Sequence, residues 1–477
     1  MKDKREISFT GANISRRGFL KTLGTTTAGF VVAPYLTPSG VFAYTHKAAS
    51  SSYLARVAIT QTVNTPADSY DPASVKDRVQ YLFETLGGVA DVVKKGNKVA
   101  IKINLTGGSA NATSPLLKGV PITEAMWTHP AVLQAVGELL IDAGVNGSDI
   151  YIVDALWDAA SFTNFGYADV QKALGANMVD LNSASPYPTF ATRNAGATPF
   201  NFASFSMNQI LSDVDVYVSI PKLKQHAEAG LTCSLKNQVG AVPKTLYTIT
   251  TNTSRRQKLH NPTGGSSASY LPESICDLNA ARPVHLAVVD GIKNSKGGEG
   301  VWIPTFQLYQ SHVLFAGKDP VATDSIGAKL MGLNCEATAL PLPGGGTCDN
   351  YLYLLNKNGV GTNQLNEIEV LGDGAGLITS VRHENTMRQP SGFELYPNFP
   401  NPFNPSTRII FYLPMTGNVN IKVFTITGQH IETLVEGAVP AGEHDLNWDA
   451  TGLASGVYIC RMQAGDISRT IKMVYQK

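Results

Sequence analysis

The sequence predicts an α/β domain, a mostly parallel sheet flanked by helices, followed by a small all-β immunoglobulin-like sandwich. Three observations predict it. Strand-like and helix-like apolar runs alternate from residue 55 to about 372, as parallel strands joined by crossover helices require. Near residue 375 the texture changes to short alternating strands broken by Gly and Asp, the pattern of a sandwich. A length of 477 residues exceeds one ordinary core, so two or more domains are expected. The resulting organisation is an export signal over 1–43, a linker over 44–54, the α/β domain over 55–372, a linker over 373–392 and the sandwich over 393–477.

The first 43 residues carry six Lys/Arg against two Asp/Glu, which leaves 32 against 35 for the rest. A near-neutral remainder excludes nucleic-acid binding through a general basic field. ISRRGFLKTLGTTTAGFVVAPYLTPSGVFA has a charged start, a short apolar middle and small residues near Val41-Phe42-Ala43, where a peptidase would cut. Thr, Gly and Pro interrupt it too often for a membrane span of about 20 apolar residues. Ser15-Arg16-Arg17-Gly18-Phe19-Leu20-Lys21 resembles a twin-arginine signal. That resemblance implies export of the folded chain by the twin-arginine translocase, a route often used when a cofactor is inserted before export.

In the α/β region the strand candidates are ARVAIT, NKVAIKIN, DIYIVDA, DVYVSIP, HLAVVDG and HVLFAG. Between the second and third lies HPAVLQAVGELLIDAG, with Val132, Leu133, Val136, Leu139 and Leu140 at helical spacing and Gly144 to end the helix. Ligands of such sheets sit beyond the carboxyl ends of the strands. Those ends supply Asn104 with Thr106-Gly107-Gly108, then Asp154, Lys222, Asp290-Gly291 and Asp319, an expected convergence on one mouth. Asp319 before Pro320 also reads as a helix N-cap, and Asp324 as a first-turn dipole partner. His129 before Pro130 introduces a helix, and His285 and His312 open strands. GGSSASY and NSKGGEG lack the G-x-G-x-x-G spacing of a dinucleotide site.

One stretch concentrates cations. In PKLKQHAEAGLTCSLKNQVGAVPK, Lys222, Lys224 and His226 alternate, so an extended chain points them to one side. Lys236 and Asn237 then interrupt an apolar environment, where a lysine must snorkel or meet an acid. Asp290, Asp319 and Asp324 are the available acids. The five cysteines contain no C-x-x-C, which disfavours an iron-sulfur cluster or zinc ribbon. Cys335 and Cys348 flank a Pro/Gly-rich loop and are candidates for a disulfide in an oxidising compartment.

The cationic stretch, with Asn104, the helix after His129-Pro130, VVDGI and GKDPVATDSIGAKLMG, resembles the domain of unknown function family 362 over most of residues 55–335. That family implies no established activity, and the chain lacks the cysteine runs of its ferredoxin-like relatives. His226 and Lys236 are also spaced as in nickel-pincer lactate racemases, with Leu259-His260-Asn261-Pro262 beyond, but without the Gly-Gly-Arg before the lysine. In the tail, Asn398-Phe399-Pro400-Asn401-Pro402-Phe403-Asn404-Pro405, Gly428, Trp448 and Gly452–Tyr458 resemble the type A sorting domain of type IX secretion. It implies passage across the outer membrane, then release or attachment at the cell surface.

Three functions follow from the residues. In the first, Lys222 and Lys224 clamp a small carboxylate or phosphate, His226 is general acid/base and His260 a second base, with Asn104 and Asn237 orienting the ligand. Asp290 with Asp319 would hold Lys236 or a hard divalent cation such as magnesium. In the second, the same pocket captures an anion without turnover. In the third, the lysines are architectural and pair the strand-end aspartates.

Overall fold

The computed structural model describes residues 54–110, 116–249, 256–262, 267–379, 393–396, 398, 401, 403–465 and 467–476. The expected export signal, with its Ser15–Lys21 stretch, lies outside the described residues. The chain divides into two compact units, Met1–Ser380 and Val381–Lys477.

The first unit is built on β1 (Ala55–Gln61), β2 (Val99–Ile103), β3 (Ile150–Asp154), β4 (Asn177–Asp180), the hairpin β5 (Ala191–Asn194) and β6 (Ser204–Met207), β7 (Val216–Ile220), β8 (Lys222–His226), β9 (Gly230–Thr232), β10 (Leu286–Lys296), β11 (Gln307–Tyr309), β12 (Val313–Gly317), β13 (Ala339–Pro341), β14 (Thr347–Asp349) and β15 (Ile368–Leu371). The main sheet runs β15-β1-β12-β10-β7-β2-β3-β4. Every neighbouring pair on that path is parallel except those of β12, which is antiparallel to both β1 and β10. Strands β2, β7 and β12 are buried at every position, as expected of a sheet covered on both faces.

Alternation assigns the two faces. On β2, Val99, Ile101 and Ile103 join one apolar cluster while Ala100 joins the other, and Lys102 falls on the face of Ala100. The helix Pro130–Asp142 buries Val132, Leu133, Val136 and Leu140 under the first cluster. His129 caps it, its Nδ1 accepting the Ala131 N–H at 3.1 Å.

The reversal of β12 corrects the expected convergence of five strand ends. Asp319 follows an antiparallel strand, so it emerges at the opposite end of the strands from Asn104, Asp154 and Lys222. There it caps the helix Pro320–Leu330, accepting from Val321 and Ala322 at 2.8 and 3.0 Å and from the Thr362 N–H at 3.1 Å. The disulfide expectation is corrected as well. Cys335 and Cys348 are buried free thiols: Cys335 Sγ donates to the Asn363 carbonyl, while Cys348 lies in the β13–β14 hairpin opposite Leu340.

The second unit consists of two antiparallel sheets. One has the order β16-β17-β20, from Glu394–Leu395, Ser406–Leu413 and Gly442–Asp449; the other has β19-β18-β21-β22, from His430–Val439, Gly417–Thr425, Gly456–Ala464 and Ile467–Tyr475. Their apolar residues share one core. Phe403 of the proline-rich segment packs there against Trp448 and Tyr475, with ring centroids 5.4 and 5.2 Å apart, and Tyr458 meets Trp448 edge-on. Buried aromatics of this size supply much of a small domain's stabilisation.

Candidate functional site

Beyond the carboxyl ends of β2 and β3 lies a cleft with an empty volume of about 850 Å³, open solvent at its mouth included. Lys102, Asn104, Asp154, Lys224, His226, Lys236, Asn237, Arg256, His260 and Glu299 all reach it, with Trp157 and Trp302. Lys222 does not.

Strand β8 extends the sheet beside β10, with Lys222 opposite Asp290 and Lys224 opposite Ser295. Although alternation places both lysines on one side of the strand, the register against β10 shifts between Asp290 and Ser295, and their ammonium groups reach separate destinations. Lys222 Nζ is 2.5 Å from Asp290, 2.8 Å from the Tyr70 hydroxyl and 3.1 Å from the Lys293 carbonyl, and the Lys222–Asp290 pair is fully enclosed. All three of its ammonium hydrogens are therefore engaged. Asp290 also receives the Tyr70 O–H at 2.9 Å and the His129 N–H at 3.0 Å. Lys222 and Asp290 thus form a structural pair, and neither is placed to clamp a ligand or bind a cation.

Lys224, equally buried, donates to the Met126 carbonyl at 2.6 Å and lies 3.5 Å from Thr106 Oγ1. No carboxylate lies within 4 Å of its ammonium among the described residues. Burial pushes Lys224 down to about 7, with Glu299 opposing and Lys236 and Lys222 reinforcing the shift. Lys236 opens the 3₁₀ turn Lys236–Ala241 and is 8% exposed. Burial takes it down to about 8, although Glu299 and Glu228 favour its charge.

None of the expected acids reaches Lys236. Asp290 is held by Lys222, and Asp319 is at the far end of the strands. Asp324 accepts the Ser234 and Leu235 N–H groups at 2.8 and 2.9 Å, and so holds the segment that delivers Lys236. Burial pushes Asp319 and Asp324 each up to about 6.

His226 is enclosed, and burial keeps it neutral, well below the usual histidine range. Its Nδ1 accepts the N–H groups of Glu228 and Ala229 at 3.0 and 3.2 Å, so the proton resides on Nε2, 3.9 Å from Glu299. Burial raises Glu299, but His226, the Ala227 N–H at 3.0 Å and Lys236 outweigh it and hold the carboxyl at about 2. With the imidazole neutral, the amide and the lysine are the effective partners. His260 Nδ1 lies 3.0 Å from the Arg256 carbonyl, and its Nε2 3.7 Å from Glu228.

The floor contains a second ion pair that strand-end reading only half identified. Lys102 Nζ contacts Asp154 at 2.9 Å, the Ile103 carbonyl at 2.6 Å and Asn237 Oδ1 at 3.2 Å. Burial pulls Lys102 down and pushes Asp154 up, and their attraction opposes both shifts. Asn237 Nδ2 donates to the Lys102 carbonyl and Ser219 Oγ. Its amide is thus an anchor for the floor rather than an open ligand contact. Gly240 leaves room for this pair, because a Cβ would lie 2.7 Å from Lys102 Nζ and 3.1 Å from Asp154 and would force the two side chains to shift. Arg256 spans the wall, donating to the carbonyls of Val242 and Ala155 at 2.8 and 3.1 Å.

Two buried cleft atoms have no hydrogen-bond partner among the described residues: Asn104 Oδ1 and Thr232 Oγ1. Sequence reading missed Lys102, Thr232, Arg256, Glu299 and the two tryptophans. The lysine inside the apolar run VAIKI was a usable signal. No group of three His, Cys, Asp or Glu among the described residues is arranged for a metal ion.

Residues 99–329 match the domain of unknown function DUF362. Residues 397–476 match the secretion system C-terminal sorting domain. The thylakoid-associated protein sll1697 of Synechocystis sp. is 27% identical over 233 residues, 48% of this chain. The aligned part spans 63% of that relative's length. The lactate racemase apoprotein from Thermoanaerobacterium thermosaccharolyticum superposes with a TM-score of 0.32 at 12% identity, covering 62% of this chain and 60% of that one. No helix among the described residues is long and apolar enough to cross a membrane. The sorting domain marks the protein for type IX secretion to the cell surface. The chain thus resembles the domain of unknown function DUF362 over residues 99–329 and the secretion system C-terminal sorting domain over residues 397–476.

Proposed function

We propose that the cleft captures a small anion, a carboxylate or phosphate, between Lys224 and Lys236, and that a lysine rather than His226 moves the proton. One observation carries this reading: two buried lysines open onto one cleft with no carboxylate in salt-bridge reach among the described residues. An uncompensated buried charge costs several kcal/mol, which a bound anion offsets. With Lys224 near 7, its amine and ammonium forms coexist at neutral pH, as a general base requires. Lys236, near 8, stays mostly protonated and stabilises negative charge developing on the substrate. His226 Nε2–H serves as a hydrogen-bond donor.

The second reading is capture without turnover. It is favoured by the commitment of His226 Nδ1 to two backbone N–H groups, which removes the usual proton acceptor. The test is calorimetric titration with inorganic phosphate and acetate, with small carboxylates incubated in D2O to reveal carbon-bound exchange. Lys224→Met and Lys236→Met should each weaken binding by about tenfold or more, the scale of a lost charge-assisted hydrogen bond. The exposed Lys258→Met should not. Equal affinity in all four proteins contradicts the site. Exchange lost in Lys224→Met supports proton transfer, and binding without exchange supports capture alone.

Export through the twin-arginine translocase, with the Ser15–Lys21 stretch as its signal, is part of the same reading. Arg16→Lys with Arg17→Lys should retain the protein in the cytoplasm, and undiminished export would contradict it.

A further inference from the structure

The reading above accounts for an anionic group, but three features of the cleft ask for more than an anion. Among the described residues, Asn104 Oδ1 is a buried acceptor with no donor and Thr232 Oγ1 a buried hydroxyl with no partner. A bare carboxylate such as acetate offers the amide oxygen nothing, since the ionised group brings no donor. A ligand hydroxyl satisfies both groups. Thr232 pairs across β9 with Lys224, so the unpartnered hydroxyl lies beside the cationic position.

The third feature is the rim. Trp157 and Trp302 both line the cleft, with ring centroids 6.5 Å apart and planes inclined by 39°. Trp302 is 40% exposed, an unusual placement for the largest apolar side chain. The loop that carries it is set by glycines. A Cβ on Gly297 would strike the Thr305 carbonyl at 1.8 Å, one on Gly298 would meet Ile303 at 2.7 Å, and one on Gly300 would strike the Trp302 ring at 2.3 Å. Gly297 and Gly298 also occupy positive φ, at 74° and 147°. This one loop brings Glu299 against His226 and Trp302 to the mouth. An indole at a polar mouth suits a ligand with a flat apolar face and polar edges.

We infer that the cleft is built for a hydroxylated, ring-bearing anion, a sugar acid of the hexuronate class. Its carboxylate meets Lys224 and Lys236, its hydroxyls meet Asn104 Oδ1 and Thr232 Oγ1, and the C–H face of the pyranose lies on the Trp302 indole. This rests on the anion reading and narrows it. The acid group supplies what the lysines lack, and the ring supplies what the rim and the orphaned oxygens lack.

The test titrates the full chain with galacturonate, galactose and acetate, read by calorimetry and indole fluorescence. Galacturonate should bind about tenfold or more tighter than either fragment, with a change in tryptophan emission. Trp302→Ala should weaken galacturonate by about tenfold and leave acetate unchanged. Thr232→Val, nearly isosteric, should weaken galacturonate by about threefold or more with acetate again unchanged. Equal binding of galacturonate and acetate, indifferent to Trp302→Ala, would overturn this inference and leave the anion reading standing. Galactose binding as tightly as galacturonate overturns it from the other side. Wild-type protein that binds phosphate but not galacturonate overturns this inference alone, and protein that binds neither acid nor phosphate defeats both readings.

Discussion

Lys222 and Lys224 stand two residues apart on one strand, both without solvent exposure, yet they occupy opposite functional categories. Lys222 meets Asp290, Tyr70 and a carbonyl, so its charge is neutralised and its hydrogens are spent. Lys224 has a carbonyl, a distant hydroxyl and the cleft. Burial lowers the proton affinity of both, but only Lys222 has a carboxylate in contact to resist it. Being a buried lysine therefore says little by itself. What surrounds the ammonium decides whether it holds the fold or waits for a ligand.

The largest effect that can break this comparison is loss of one member of the structural pair. Asp290→Ala should destabilise the first unit by about 3–5 kcal/mol, because it strands a buried ammonium and frees the Tyr70 hydroxyl. Chemical denaturation measures it, and a loss below about 1 kcal/mol would place Asp290 outside the structural role. Lys224→Met should behave differently, changing stability by no more than about 1 kcal/mol, since it removes a buried charge and strands the Met126 carbonyl but no carboxylate.

Next in size is the pH dependence. Lys224 has a folded pKa near 7, below the unfolded value of about 10.4. Between those values the unfolded chain binds the extra proton, so stability rises with pH, by at most about 1.4 kcal/mol per unit for this group. Below pH 7 both states are protonated and the full burial cost is present. Denaturation at pH 6.5 and pH 9 should show wild type gaining on Lys224→Met as pH rises. Anion affinity should move the other way, weakening as the ammonium loses its proton above pH 7. A difference between the two proteins that does not change with pH would contradict the assignment.

Gly240→Ala should cost about 1–3 kcal/mol by forcing a methyl against the Lys102–Asp154 pair, read as a lower melting temperature. The smallest expected effect is that of reductant. With Cys335 and Cys348 as free thiols, it should leave the melting temperature unchanged. A fall of several degrees would indicate a bond that stabilises the fold.

The sequence conveyed the fold class, a mostly parallel α/β sheet followed by an all-β region, because periodicity and punctuation are local properties. It located Lys224, His226, Lys236 and Asn104 in the cleft, since alternation along a strand and the strand-end rule are geometric. It misplaced Asp319 because the direction of β12 depends on a partner far along the chain, and nothing in HVLFAG encodes it. It also left the roles unresolved. Whether His226 Nδ1 is free or taken depends on two N–H groups in a turn, and whether Asp290 faces a ligand or Lys222 depends on packing across the sheet. Glu299 and Trp302 were hidden in a loop noted only for lacking a nucleotide motif.

The most direct test of the central claim is the titration of the Lys224 ammonium, followed by NMR of lysine labelled at the side-chain carbon and assigned with Lys224→Met. The account predicts a midpoint near 7 in the free protein, moving upward when phosphate or galacturonate is added, as a bound anion favours the charged form. A midpoint near the ordinary lysine value of about 10.4, unmoved by either anion, would contradict it.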